Sequence, residues 1–190
     1  MSYIDTMKSV VRSYKAEVEE AAKQIAEARN MYNERHSSDV ISAIMAGLEK
    51  KQRAATAEIA AARSRGVNEA KAWGKLDGRE ITADAELLKY DLTPEDFDDL
   101  VERYQGNATM SHLLMSYGTK VNKGATLQDG DHVTMLNLAN IDTSERRAHE
   151  AETAGGIALD ILDRLTVDGG YMQGVNSPMV QAMVGNFLGE

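Results

Sequence analysis

The chain has 190 residues, 43% of them hydrophobic and 27% charged, with a formal net charge of −9. It contains no cysteine and only 5% aromatic residues, which excludes disulfides, cysteine-ligated zinc, iron–sulfur clusters and a thiol nucleophile, and argues against an aromatic-lined cofactor pocket. The N-terminal residues lack the apolar core of a signal peptide, and no stretch nears the ~20 apolar residues of a membrane span, so the expectation is a soluble protein with no membrane partner.

Charge is divided unevenly. Residues 1–73 carry 12 Lys/Arg against 10 Asp/Glu, whereas residues 74–190 carry 9 against 20. Binding to phosphate backbones needs clustered Lys and Arg, so nucleic acid is not an expected partner. The acidic half serves solubility or seeks a basic partner.

From Ile4 the apolar or small residues fall at Met7, Val11, Tyr14, Val18, Ala21, Ile25, Ala28 and Tyr32. Steps alternating three and four make a coiled-coil seam, and Lys15, Glu17, Glu19, Glu20, Lys23 and Glu27 lie between its rows. Continuing that seam past Tyr32 would bury Arg35, Asp39 and Glu49, which is costly. A new seam instead runs through Ile41, Met45, Leu48, Gln52, Ala55, Ile59 and Ala62. Ser37 or Ser38 is a suitable N-cap with Asp39 behind it, so the spacing predicts a break at His36–Ser38 and a second helix to about Trp73. Two arms of roughly 50 Å each, joined by a polar turn, favour an antiparallel hairpin over a bent rod that pairs in parallel. An amphipathic stripe needs a partner helix, and Ala54–Ala62 permits close approach. The seam residues Ile4, Met7, Val11, Tyr14, Val18, Ala21, Ile25, Ala28, Tyr32, Ile41, Met45, Leu48 and Ile59 are therefore the candidates for self-association into a homo-oligomer.

Thr82 is placed to cap a short helix through Leu87, Leu88 and Tyr90. Thr93-Pro94-Glu95-Asp96 starts another, with apolar Phe97, Leu100, Val101 and Tyr104 on one face and Gly106 as its stop. Asn107 or Thr109 opens the next, which carries Met110, Leu113, Leu114 and Tyr117. This pair resembles a helix-turn-helix in outline, but the acids on its first helix and the scarcity of bases on its second speak for a packing unit.

Gly118, Gly124 and Gly130 suggest a loop-rich connection over 118–142, with Val133–Leu138 a short strand or a helical turn. Asp142 or Thr143 starts a helix to Leu165, in which Gly155-Gly156 marks a kink or a close helix contact. Asp168-Gly169-Gly170 is a turn. Ser177-Pro178 caps a last, almost uncharged helix whose Met179, Val180, Met183, Val184, Phe187 and Leu188 must dock on this chain or on a partner.

Chemistry is sparse. No GxxxxGK[ST], GxGxxG, HExxH or GxSxG occurs in the sequence. Glu145 and His149 lie four apart on a helix but make only two ligands. Asp129, Asp131 and His132 are a fragment of a calcium loop without its distal glutamate. No catalytic residue, metal or cofactor is expected, and the chain reads as non-enzymatic.

The order of segments carries a resemblance. An N-terminal coiled coil is followed by Leu76-Asp77-Gly78-Arg79-Glu80-Ile81-Thr82, then Leu92-Thr93-Pro94-Glu95-Asp96-Phe97, then Asn107-Ala108-Thr109-Met110 and Leu113-Leu114-Met115-Ser116-Tyr117. Over residues 1–120 this succession resembles a poorly characterised group of helical proteins from tailed phages and prophages of Gram-positive bacteria, encoded among virion-structure genes. The resemblance implies a structural or head-morphogenesis protein of the particle, with a capsid or other virion protein as partner and the virion or the host cytoplasm as location. It brings no catalytic residues. Phage scaffolding proteins are similarly acidic and helical but end in a basic segment, which this chain lacks. The other function class compatible with the sequence is a cytosolic adaptor or regulator that binds a basic protein. The expected architecture is all-α, with a coiled-coil hairpin or rod over 1–73 and an acidic helical region over 74–190.

Overall fold

The computed structural model describes residues 2–32, 34–125, 135–165 and 177–190, and its regular elements are all helical. Helix α1 (Tyr3–Met31) opens with a reciprocal cap: the Ser2 hydroxyl accepts from the Asp5 amide at 3.1 Å, and the Asp5 carboxylate accepts from the Ser2 amide at 3.0 Å. These hydrogen bonds from Ser2 hold the Asp5 carboxyl below its ordinary pKa. The helix ends where Tyr32 turns extended, and α2 (Glu34–Trp73) follows.

The break therefore falls at Tyr32, ahead of the expected His36–Ser38, which lies inside α2. Ser37 does not cap. Its hydroxyl donates back to the Glu34 carbonyl at 3.0 Å, a bond a serine makes within a helical turn. Ser37 is also buried, and it extends the inner stripe of α2 one turn before Ile41.

The long helices belong to one compact unit, formed by Met1–Val67 and Glu150–Glu190. Helices α1 and α2 run antiparallel, with Tyr3 against Gly66 at one level and Glu17 paired with Lys51 at another. The hairpin alternative is thus the one realised. The second half of α5 (Ser144–Arg164) lies antiparallel to α2: Ala151 meets Gly66, Gly155 meets Arg63, and the Gln52 amide donates to the Leu162 carbonyl at 3.3 Å. A Cβ on Gly155 would sit 2.8 Å from Arg63 Cδ, so this glycine marks a close helix contact. Helix α6 (Pro178–Leu188) completes the unit beside α1, where the Lys8 ammonium donates to the Leu188 carbonyl and Arg12 pairs with Glu190. The core is Met7, Val11, Tyr14, Val18 and Ile25 from α1, Leu48, Ile59 and Ala62 from α2, Ile161 and Leu162 from α5, and Val180, Val184 and Leu188 from α6.

Tyr14, 3% exposed, links this packing to pH. Burial, reinforced by the nearby Asp163 carboxylate, pushes its hydroxyl up to about 12. Unfolding restores an ordinary value near 10, so between those values the native state binds the extra proton and stability falls as pH rises. Wild-type protein is expected to lose about 2 kcal/mol through this residue between pH 10 and pH 12, and Tyr14→Phe to show a flatter alkaline limb. Denaturant midpoints at pH 9 and pH 11.5 read the difference, and identical slopes would refute the assignment.

The second unit is Asn68–His149. Helix α3 (Pro94–Arg103) starts as expected, with the Thr93 hydroxyl accepting from the Asp96 amide at 3.2 Å and Pro94 in the first turn. Its inner face places Phe97, Leu100 and Val101 against Leu114, Leu136 and Ile141. The chain turns at Gly106, whose φ of 87° is costly for any other residue. Asn107 then opens α4 (Ala108–Ala125), its side-chain oxygen accepting from the Met110 amide at 2.9 Å.

Two expectations need correction. Residues 118–125 continue α4 and are not loop. Gly118 is there for space: an added Cβ would lie 2.4 Å from Leu138 Cδ2 and 3.0 Å from Phe97 Cζ. After the next described residue, Met135, Leu136 is held by Asn122, whose side-chain amide donates to its carbonyl and accepts from its amide at 2.9 and 2.8 Å. The division of the chain also differs from 1–73 and 74–190, because Glu150–Glu190 belongs with the N-terminal helices. The expected turn at Asp168–Gly170 and the start of the Val133–Leu138 segment lie outside the described residues.

Candidate functional surfaces

The predicted association residues are located first. Met7, Val11, Tyr14, Val18, Ala21, Ile25, Ala28, Leu48 and Ile59 are buried, while Ile4, Ile41 and Met45 are half-buried. Tyr32, at the helix break, is 44% exposed, its ring edge-on to His36 at 4.6 Å. The seam is thus covered within one chain by α1, α2, α5 and α6. Those side chains cannot face a second copy without opening the unit. The same holds for the last helix: Val180, Val184 and Leu188 are buried in its own chain, Met183 and Phe187 pack at the edge, and Met179 stays 55% exposed.

In the second unit, the motifs quoted above knit into a belt. The Asp77 carboxylate caps a 3-10 turn over Gly78–Glu80 by accepting from the Arg79 amide at 2.9 Å. Its backbone amide donates to the Thr109 hydroxyl at 2.9 Å, and that hydroxyl reaches the Asp77 carbonyl and the Glu80 carboxylate, each at 3.2 Å. The Asn107 amide holds the Glu80 carbonyl at 3.0 Å. Thr82 precedes the 3-10 turn over Ala83–Lys89 without capping it. Its hydroxyl donates to the Tyr104 hydroxyl, which in turn donates to the Asp84 carboxylate, both at 2.8 Å. That hydrogen bond, together with Arg103 at 2.7 Å, lowers the pKa of the Asp84 carboxyl, and Asp84 in turn raises that of the Arg103 guanidinium. Farther on, the Tyr117 hydroxyl accepts from the Leu92 amide and donates to the Tyr90 carbonyl, each at 3.0 Å.

This belt turns apolar side chains outward, with Leu76 and Tyr90 59% and 69% exposed. Beside it, α3 presents Glu95, Asp98, Asp99 and Glu102 at i, i+3, i+4 and i+7, a carboxylate stripe opposite its buried apolar one. A cleft of about 460 Å³, within the size range of small-ligand sites, lies between the end of α2, α4 and the start of α5 in this unit. At its edge the Arg147 guanidinium lies 3.9 Å from the centre of the Trp73 ring and grips Asp142 through Nε at 3.0 Å, while the indole N–H donates to the Gly106 carbonyl at 3.2 Å. No local sequence signal points to this arrangement, because Trp73 stands more than thirty residues from Gly106 and some seventy from Arg147.

Glu145 and His149 are exposed on α5, and among the described residues no three His, Asp or Glu side chains are grouped to hold a metal ion. Asp129, Asp131 and His132 lie outside the described residues. No helix among the described residues is long and apolar enough to cross a membrane. The fold class these observations define is an all-α protein of two compact helical units. Comparison with protein-family models, with curated proteins and with solved structures finds no match to this chain.

Proposed function

We propose that this is a non-enzymatic structural or head-morphogenesis protein of a tailed phage, which self-associates and contacts a capsid or other virion protein in the particle or in the host cytoplasm during assembly. The observation that carries the reading is the use made of the motifs behind the phage resemblance. Asp77, Thr93, Asn107, Thr109 and Tyr117 all serve as caps and latches within one helical unit. Residues used in this way preserve a shape, which is what a particle component needs, and the belt they build leaves Leu76 and Tyr90 outward for a neighbour. A tagged chain expressed during phage growth is expected to co-sediment with heads or whole particles in many copies, read by quantitative mass spectrometry of density-gradient fractions. Its confinement to the particle-free fractions would overturn the proposal.

The carboxylate stripe on α3 favours a second reading, an adaptor that binds a basic protein through this face. Capture of one stoichiometric basic host protein, lost on changing Glu95, Asp98, Asp99 and Glu102 to their amides, would select it.

A further inference from the structure

The signals that let a helix form on its own are weak in α6. Pro178 and Gly189 bound it in the usual way, Gly189 in the left-handed region at φ 78°. The helix has 11 residues, fewer than the ~12–15 at which even an alanine-rich helix is marginal alone in water. Val180, Val184, Asn186 and Phe187 are poor helix formers. Ser177 stands at the cap position but makes no side-chain cap bond, in contrast to Ser2, Thr93 and Asn107. Gly185 sits inside the helix without a packing reason. A Cβ there would come no nearer than 3.6 Å to the Glu190 carbonyl, an ordinary contact, whereas at Gly66 and Gly155 it would clash at 2.8 Å.

What α6 lacks locally is supplied by α1. No basic residue stands in its last turn, and the Lys8 ammonium fills that place, donating to the Leu188 carbonyl at 3.3 Å at the negative end of the helix dipole. Val180, Val184 and Leu188, spaced by four, are buried, while Met179 at the start of the helix stays 55% exposed. The Arg12–Glu190 pair is exposed on both sides and adds little. These contacts exist only while α6 is docked, so its helix and its docking are gained and lost together. The rest of the unit has supports of its own. Helix α1 carries its reciprocal cap and runs antiparallel to α2, and α5 packs on α2 through Ala151, Gly155 and Leu162.

We propose that α6 is a detachable strap, a two-state element that leaves α1 and unwinds while α1, α2 and α5 keep their packing, uncovering its own apolar stripe and the α1 surface beside Lys8 and Arg12. This goes beyond the assembly reading and does not depend on it.

Native-state hydrogen exchange of the full chain, followed residue by residue by NMR, tests it. The amides of Gln181–Leu188 are expected to exchange as one group, with protection at least about tenfold below that of the Val11–Val18 and Ala158–Leu162 amides. Gly185→Ala removes glycine's freedom from the unwound chain at a site with room for the methyl. It is expected to raise the protection of that group about two- to fivefold and to leave α1 and α5 unchanged. Lys8→Met keeps most of the stem and removes the charge, and is expected to lower the same protection by about two- to fivefold. Equal protection across α6, α1 and α5 would overturn the proposal, because α6 would then open only with its whole unit. So would protection that declines step by step from Gln181 to Leu188 and ignores both substitutions, since that is the fraying of a helix end.

Discussion

Replacing Val18 and Ile25 together by aspartate is expected to unfold the N-terminal helices of a single chain, not to separate one chain from another. Both side chains are buried, at 0% and 3% exposure, in a core completed by α5 and α6 of the same molecule. Each substitution removes about 1.5–3 kcal/mol of apolar burial. Each also places a carboxylate where the effective penalty for an unpaired charge is several kcal/mol. The sum meets or exceeds the 5–15 kcal/mol that stabilises a typical domain. The expected result is a large loss of far-UV helical signal and of the cooperative melt at neutral pH. A variant that kept its helicity and melting transition while changing only its mass would show that the seam faces a second chain after all.

The same residues show what a sequence discloses and what it withholds. Periodicity reports that a helix has an apolar stripe, because burial at intervals of 3.6 residues leaves that imprint directly. It does not report what covers the stripe. A seam ending in Ala21 and Ala28 suits a neighbour from the same chain as well as one from another, and here its partners include Ile161 and Val184, more than a hundred residues away. The last helix was ambiguous for the same reason: Val180 and Val184 announce burial but not against whom. The helix break was displaced because Ser37 and Ser38 have the chemistry of a cap. Yet a serine inside a helix satisfies its hydroxyl on a preceding carbonyl, as Ser37 does on Glu34. The stretch after Gly118 was expected as loop on the count of its glycines, although one of them is required by packing, since Leu138 and Phe97 occupy the space a side chain would need.

Local capping was the most legible level. Thr93 with Pro94, Gly106 and Asn107 act within three or four residues of where they stand, so their roles are written in adjacent letters. The latches that join these pieces were not legible. Thr82, Tyr104 and Asp84 form one hydrogen-bonded chain across about twenty residues, and Trp73, Arg147 and Asp142 meet across some seventy. The alanine-rich stretch of α2 lay between these cases. Its alanines were visible as an opportunity for close helix approach, but only the inner face seen in the structure separates Ala55 and Ala62, which are buried, from Ala54, Ala57 and Ala61, which are not.

Phe97 is the largest fully buried side chain of the second unit among the described residues, and truncating it is expected to have the largest effect there. Phe97 is fully buried, stacks on Tyr117 with ring centres 6.0 Å apart, and borders the space left by Gly118. Phe97→Ala removes the ring from among Leu114, Leu136 and Ile141, and the resulting loss is about 3–5 kcal/mol. The measurement has a built-in reporter. Trp73 is the only tryptophan of the chain and lies in this unit, its indole bonded to Gly106 and covered by Arg147. Its fluorescence therefore follows the second unit, whereas the far-UV signal is dominated by α1 and α2, most of whose length lies in the first. The variant is expected to shift the fluorescence midpoint in urea to markedly lower concentration, and the far-UV midpoint less. Coincident shifts would mean that the two units unfold as a single cooperative block. An unshifted fluorescence midpoint would contradict the central place of Phe97 in this core.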